Sequence, residues 1–186
     1  RGQGGHWTSE QLARLGEAGS FGLPGAVLSP YLVPPDESPG QAAQRAGLRV
    51  DAEAVVDTYQ VLATWADAVV VQGVGGLAVS LGEDLRVHDV ALRMGLPVVL
   101  ALGLGPGHLA RARRALALVR ATGLRLAAWV ATGPAQGEAQ ALQALERLLG
   151  PPLGRLPARS ADPAQAAAPL GAQRTALALG LPQLAG

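Results

Sequence analysis

The 186 residues suffice for one domain with a sizeable core, and that core must be built from small aliphatic side chains, since aromatics make up only 3%. A formal net charge of +1 gives no electrostatic footprint for nucleic acid, and no apolar run approaches the ~20 residues of a membrane span. The absence of cysteine excludes disulfides, thiolate metal sites and thiol nucleophiles.

All 15 basic residues are arginine. The phosphate-gripping motif G-x-x-x-x-G-K-[ST] needs a lysine, so it cannot lie within these residues. No signal-peptide pattern is visible, which makes the cytoplasm the expected setting. The first residue is Arg1, so the expectation is that the natural start lies upstream.

In chain order, Thr8-Ser9-Glu10-Gln11-Leu12 reads as a helix start, with Gln11 three residues after Thr8 as in a capping box and Glu10 suited to the helix dipole. Residues 22–35 carry Pro24, Pro30, Pro34 and Pro35 and predict an extended surface loop. Ser38-Pro39 predicts an N-cap with proline at the first helical position, and Gly47 should stop that helix. Asp51 should cap a helix over 52–66 in which Val55, Val56, Tyr59, Leu62, Ala63 and Ala66 form one apolar stripe.

Next comes the stretch on which the functional reading turns, Ala68-Val69-Val70-Val71-Gln72-Gly73-Val74-Gly75-Gly76-Leu77. An apolar run without alternation predicts a strand covered on both faces of a parallel sheet. The glycines after it allow a sharp turn and close approach to a ligand. In open α/β sheets the ligand crevice lies at the carboxyl ends of strands, which is where Gln72 to Gly76 should fall.

Ala78 to Leu81 can add a short edge piece before a helix over 85–94 that Gly95 ends. A second buried strand is expected over 97–102, and Gly103-Leu104-Gly105-Pro106-Gly107-His108 opens a helix over 109–121 whose arginines should form a solvated face. A third strand over 124–131 ends in Thr132-Gly133-Pro134. A helix over 137–149, a short strand over 153–157, a loop over 159–169 and a last helix over 172–179 follow. This alternation predicts an α/β fold: a parallel sheet with helices on both faces, in a single domain. His6, His88 and His108 show no metal spacing, and His88, beside Asp89 on a helix, reads as a surface residue.

The order of these motifs resembles dethiobiotin synthetase over nearly the whole chain. Gly5 to Leu12 resembles the segment leading into that family's "DALAL" helix, and Tyr31 to Ala43 resembles its "Y…P..SP..AA" stretch. Val70 to Gly76 resembles "VVEGAGG", Gly95 to Leu100 with Leu104 to His108 resembles "GLPVVLV…LGTINH", and Leu153 to Pro157 resembles "LGxxP".

The resemblance implies a P-loop NTPase-like sheet, here lacking its first strand–loop–helix unit, and a homodimer. It implies an ATP- and Mg2+-dependent ligase that joins CO2 to 7,8-diaminopelargonate and closes the ureido ring, with no nucleic-acid or membrane partner. It puts Glu10 and Gln72 on the metal positions, the latter an amide where the family has Glu. Gly73, Val74 and Gly75 fall on the nucleotide and substrate loop, and Thr132 replaces an Asn that resembles an adenine reader, next to Gly133. Leu156, Pro157 and Ala158 fall on the adenine-side loop, and Gly107 replaces the Asn of "INH". The family's catalytic lysines have no counterpart among these residues. A degenerate, non-catalytic relative kept for dimerisation is the alternative, because Gln72, Thr132 and Gly107 depart together. A different ATPase-like ligase or partitioning ATPase fits the Ser38-Pro39 and 153–157 segments less well.

Overall fold

The computed structural model describes residues 10–33, 37–73, 75–133 and 139–157. Thr8, Ser9, Val74 and Ala158, the loop expected over 159–169 and the helix over 172–179 lie outside the described residues. The chain divides into two compact units at the boundary between Met94 and Gly95.

The first unit is helical: α1 (Glu10–Ala18), α2 (Gly25–Leu28), α3 (Pro39–Arg45), α4 (Ala52–Ala63) and α5 (Val87–Met94). The short α2 corrects the extended loop expected over 22–35. Pro24 has no N–H to offer a ladder but needs none before a helical turn, and its carbonyl accepts from Val27 and Leu28 N–H at 2.9 and 3.2 Å. The Leu12 side chain lies over Gly25, where an added Cβ would approach it at 3.1 Å.

Asp51 caps α4 as expected, accepting from Glu53 N–H at 3.0 Å, while its own N–H donates to the Tyr31 hydroxyl at 3.1 Å. A cap of this kind contributes about 1 kcal/mol. Ala52 and Val56 bury the helix's inner face, and α4 packs against α5. The helix stops at Ala63, three residues short of the expectation, because Thr64 turns its hydroxyl and its N–H onto the Val61 carbonyl. Ser38 occupies the N-cap of α3, but its hydroxyl donates to Gln41 Oε1 at 2.7 Å instead of accepting from the helix backbone. Gly47, at φ +64°, follows the Ala46 C-cap.

The largest departure concerns residues 68–73. They form no strand, and Val70 and Val71 are 90% and 47% exposed. A strand exists only through the neighbours that take its N–H and C=O groups. An apolar run encodes burial but names no partner. In this unit the described residues contribute one isolated antiparallel bridge, Ser80 to Arg86.

The second unit carries the sheet: β1 (Val98–Gly103), α6 (His108–Thr122), β2 (Leu126–Gly133), α7 (Ala139–Leu149) and β3 (Arg155–Pro157), in the order β1-β2-β3. Both pairings are parallel, as the strand–helix alternation requires. The helices α6 and α7 touch each other and so lie on one face. Ala112, Leu116 and Val119 form the buried stripe of α6, and Leu145 is the fully buried residue of α7. Leu100 pairs with Trp129 and Leu102 with Ala131, so these four buried side chains share a face of the sheet. Trp129, the largest of them, donates its indole N–H to the Gly150 carbonyl at 3.0 Å and leaves no buried donor unpaired there. Val99 and Ala101 alternate with them and are exposed.

Gly40 provides a test of packing in the first unit. It is buried in α3, and a Cβ there would meet Ser80 Oγ at 2.7 Å and Ser80 O at 3.0 Å. Replacing a helical glycine with alanine ordinarily stabilises by roughly 0.5–1 kcal/mol. Gly40→Ala is instead expected to destabilise by about 1–2 kcal/mol, since the obstructing atoms include backbone, and to lower the urea midpoint. An unchanged or raised midpoint would refute this packing.

Candidate functional site

Each unit holds part of the expected site and is described by itself. In the sheet unit, parallel register does the assembling. Thr132 pairs with Leu156 and Gly133 with Pro157, while Gly103 of β1 pairs with Thr132. Residues 24 and 29 positions apart in sequence therefore stand side by side at the carboxyl ends of three strands. That edge is where open α/β sheets take ligands. The Leu104 N–H donates to the Thr132 carbonyl at 2.9 Å, which ties the β1–α6 loop to the same edge. Thr132 and Leu156 are half-buried.

The β1–α6 loop is held by a residue that the sequence reading left on a solvated face. The Arg111 guanidinium donates to the carbonyls of Gly103 (3.2 Å), Gly105 (3.3 Å) and Pro106. One rigid fork thus ties down three carbonyls within a single four-residue stretch. Gly107 takes φ +77° to start α6, and the His108 ring Nδ1 lies 3.3 Å from the Gly105 carbonyl. The helical spacing of Arg111, Arg113 and Arg114 gave no hint of this, because an arginine one turn into a helix reaches back over the preceding loop only when that loop curls toward it. Arg113, Arg114 and Arg120 are exposed, as expected for a solvated face.

In the helical unit, Gln72, Gly73, Gly75 and Gly76 are exposed, so this corner is open. Gly75 and Gly76 adopt φ of +69° and +113°, conformations that L side chains rarely take. Val79 N–H closes the turn on the Gly76 carbonyl at 3.2 Å. The Leu77 carbonyl accepts from His88 N–H at 3.0 Å and faces His88 Nδ1 at 3.0 Å. The His88 side chain is only 13% exposed, which corrects its reading as a surface residue. Glu10 is the first residue of α1.

Metal-ligand chemistry is sparse. Among the described residues no group of three or more histidine, aspartate or glutamate side chains is gathered for a metal. An open apolar groove bordered by Leu126, Trp129, Leu149, Pro151 and Leu153 lies toward the start of β2, away from Thr132, and has no titratable group in its lining.

A parallel sheet whose carboxyl edge gathers Gly103, Thr132 and Leu156 is the arrangement of an open α/β protein, in which ligands are taken at the strand ends. A family model described as an AAA domain matches residues 22–162, three quarters of the chain, and defines the class. Within that class the chain belongs to the dethiobiotin synthetase family. It is 42% identical over 123 residues to the ATP-dependent dethiobiotin synthetase BioD of Ralstonia nicotianae, an alignment covering 66% of this chain and 54% of that protein. It is 37% identical over 171 residues to the ATP-dependent dethiobiotin synthetase BioD of Aromatoleum aromaticum, covering 89% of this chain and 76% of the relative. The chain thus spans about half the length of the first relative and three quarters of the second.

The three contacts of Arg111 supply a second test. Arg111→Met keeps the aliphatic stem and removes the fork. It is expected to cost about 1 kcal/mol, because the freed carbonyls are solvent-accessible, and to speed hydrogen exchange at Leu104 and Gly105. Unchanged exchange at those two amides would show that the loop holds itself.

Proposed function

We propose that this protein acts in biotin biosynthesis as an ATP-dependent ligase, joining CO2 to 7,8-diaminopelargonate and closing the ureido ring of dethiobiotin. The observation that carries the reading is the 37% identity to a dethiobiotin synthetase of which the chain covers 76%. The geometry supports it at two places. The Gly75–Gly76 turn exposes backbone that can approach phosphate closely, and, in the other unit taken by itself, the Thr132–Leu156 edge is a half-buried shelf at the strand ends. Gly73, Val74, Gly75, Thr132, Gly133, Leu156, Pro157 and Ala158 are the residues assigned to nucleotide and substrate.

The chemistry sets what such a site must do. One amine of the substrate adds to CO2 and loses a proton, giving a carbamate. A carbamate oxygen takes the γ-phosphoryl group from ATP, leaving ADP and a carbamic–phosphoric anhydride. The second amine attacks the carbamate carbon, the ring closes and phosphate departs. The transferring phosphoryl group needs fixed cations and close positioning rather than covalent help. Lysine is absent from these residues, so this reading requires the phosphate-gripping lysine to come from sequence outside them.

Mg2+ is part of the proposal. It binds through one or two carboxylates with phosphate oxygens and water, so a single carboxylate at Glu10 and the amide oxygen of Gln72 are a chemically adequate, weak donor set. Bound there, the ion would neutralise charge on the transferring phosphate. Gln72 is exposed, as a contact to an incoming ion requires. A homodimer and a cytoplasmic setting complete the reading. Among the described residues no helix is long and apolar enough to cross a membrane.

The test is production of dethiobiotin from 7,8-diaminopelargonate, bicarbonate and ATP by the full-length protein, with stoichiometric ADP. No turnover by a folded protein that retains nucleotide binding would favour the degenerate, dimerising relative instead. That second reading rests on the coincident replacements at Gln72, Thr132 and Gly107.

Restoring the charge gives a separate test. Gln72→Glu in the full-length protein is expected to tighten Mg2+-nucleotide affinity about fivefold to tenfold, with no gain when Mg2+ is replaced by EDTA. Equal titrations of the two proteins would remove Gln72 from the metal site.

A further inference from the structure

Within itself the Gly75–Val79 turn is closed by one backbone hydrogen bond, Val79 N–H to the Gly76 carbonyl at 3.2 Å. Its two glycines carry no side chains, and their positive φ values are available to glycine without defining a unique shape. Its remaining ties run to the start of α5. Val87 N–H donates to the Val79 carbonyl at 3.0 Å, and the Leu77 carbonyl receives the His88 N–H at 3.0 Å. The His88 ring adds a second contact to that same oxygen, Nδ1 at 3.0 Å. A carbonyl oxygen only accepts, so Nδ1 must carry the proton that is shared.

The other ring nitrogen faces the neighbouring carboxylate. His88 Nε2 lies 3.4 Å from Asp89 Oδ1, while Asp89 Oδ2 accepts the Arg86 N–H at 2.8 Å. This carboxylate therefore caps the start of α5, in the manner of a capping box. The His88 side chain is largely buried at the contact, so water competes weakly for the carbonyl.

We propose that His88 is a positioning residue of the glycine turn: by gripping the Leu77 carbonyl it holds Gly75 and Gly76 in the shape that presents their backbone to a nucleotide phosphate. The proposal rests on the nucleotide reading above, and it concerns a residue that touches no reacting atom. It assigns α5, through one side chain, the ordering of a turn eleven residues earlier.

The test is a series of three variants in the full-length protein, His88→Leu, His88→Asn and His88→Gln. Asparagine carries an amide N–H close to the Nδ1 position, whereas glutamine carries one close to Nε2. Hydrogen exchange across residues 75–79 and the ATP dependence of dethiobiotin formation are measured for each. His88→Leu is expected to speed exchange about fivefold and to raise the ATP KM about fivefold, with kcat within about twofold, since one hydrogen bond is lost while the backbone bond to Leu77 remains. His88→Asn should restore both quantities, and His88→Gln should restore neither.

Unchanged exchange in His88→Leu would overturn the proposal, as would equal rescue by asparagine and glutamine, or a fall in kcat with KM unmoved. Should the parent protein fail to bind ATP, the nucleotide reading falls, and the exchange series still decides whether His88 holds the turn.

Discussion

Parallel pairing of β1, β2 and β3 is the constraint on which the sheet edge of the second unit depends. Each strand must hand its N–H and C=O groups to the next, and parallel pairing forces all three to end at the same edge. Gly103, Thr132 and Leu156 become neighbours only for that reason. The buried layer of Leu100, Leu102, Trp129 and Ala131 sets the register by keeping one face of the pleat against the helices. A slip of one residue would turn Trp129 outward and replace the Thr132–Leu156 pairing with a different one.

The helical unit reaches an open glycine turn by other means. There the turn is tied by backbone bonds to the α5 start, and α3 packs beyond it, its Gly40 directly on Ser80. The Ala42 and Ala43 side chains of α3 are almost fully buried, which shows how closely that helix approaches its surroundings. Ion pairs of Arg45 with Glu37 and of Arg93 with Glu53 lie at the surface and add little to this packing.

Two electrostatic features set this chain apart from a strongly charged phosphate site. The position expected to hold a metal carboxylate is an amide, and every cation in the sequence is an arginine. Arg111 illustrates the consequence. Its fork is occupied by three carbonyls of its own loop, so it stiffens backbone at the sheet edge. The cationic demand of phosphoryl transfer must then be met elsewhere, and that is why the proposed activity is tied to the full-length protein.

The alternation of strands and helices after Gly95, the parallel sheet, the Asp51 cap and the glycine stops were all legible in the residue pattern, because helix and strand periods, caps and positive-φ positions are local properties. The motif order likewise resembles the family that the relatives share. The pattern could not say whether the apolar run over 68–73 had a partner, that residues 25–28 would coil under Leu12, or that His88 and Arg111 would turn back onto carbonyls. Those outcomes depend on which groups meet across the fold. A hydrogen bond between residues 11 apart, or a strand's neighbour 24 to 29 residues away, leaves no periodic trace in the chain and is decided only by tertiary packing.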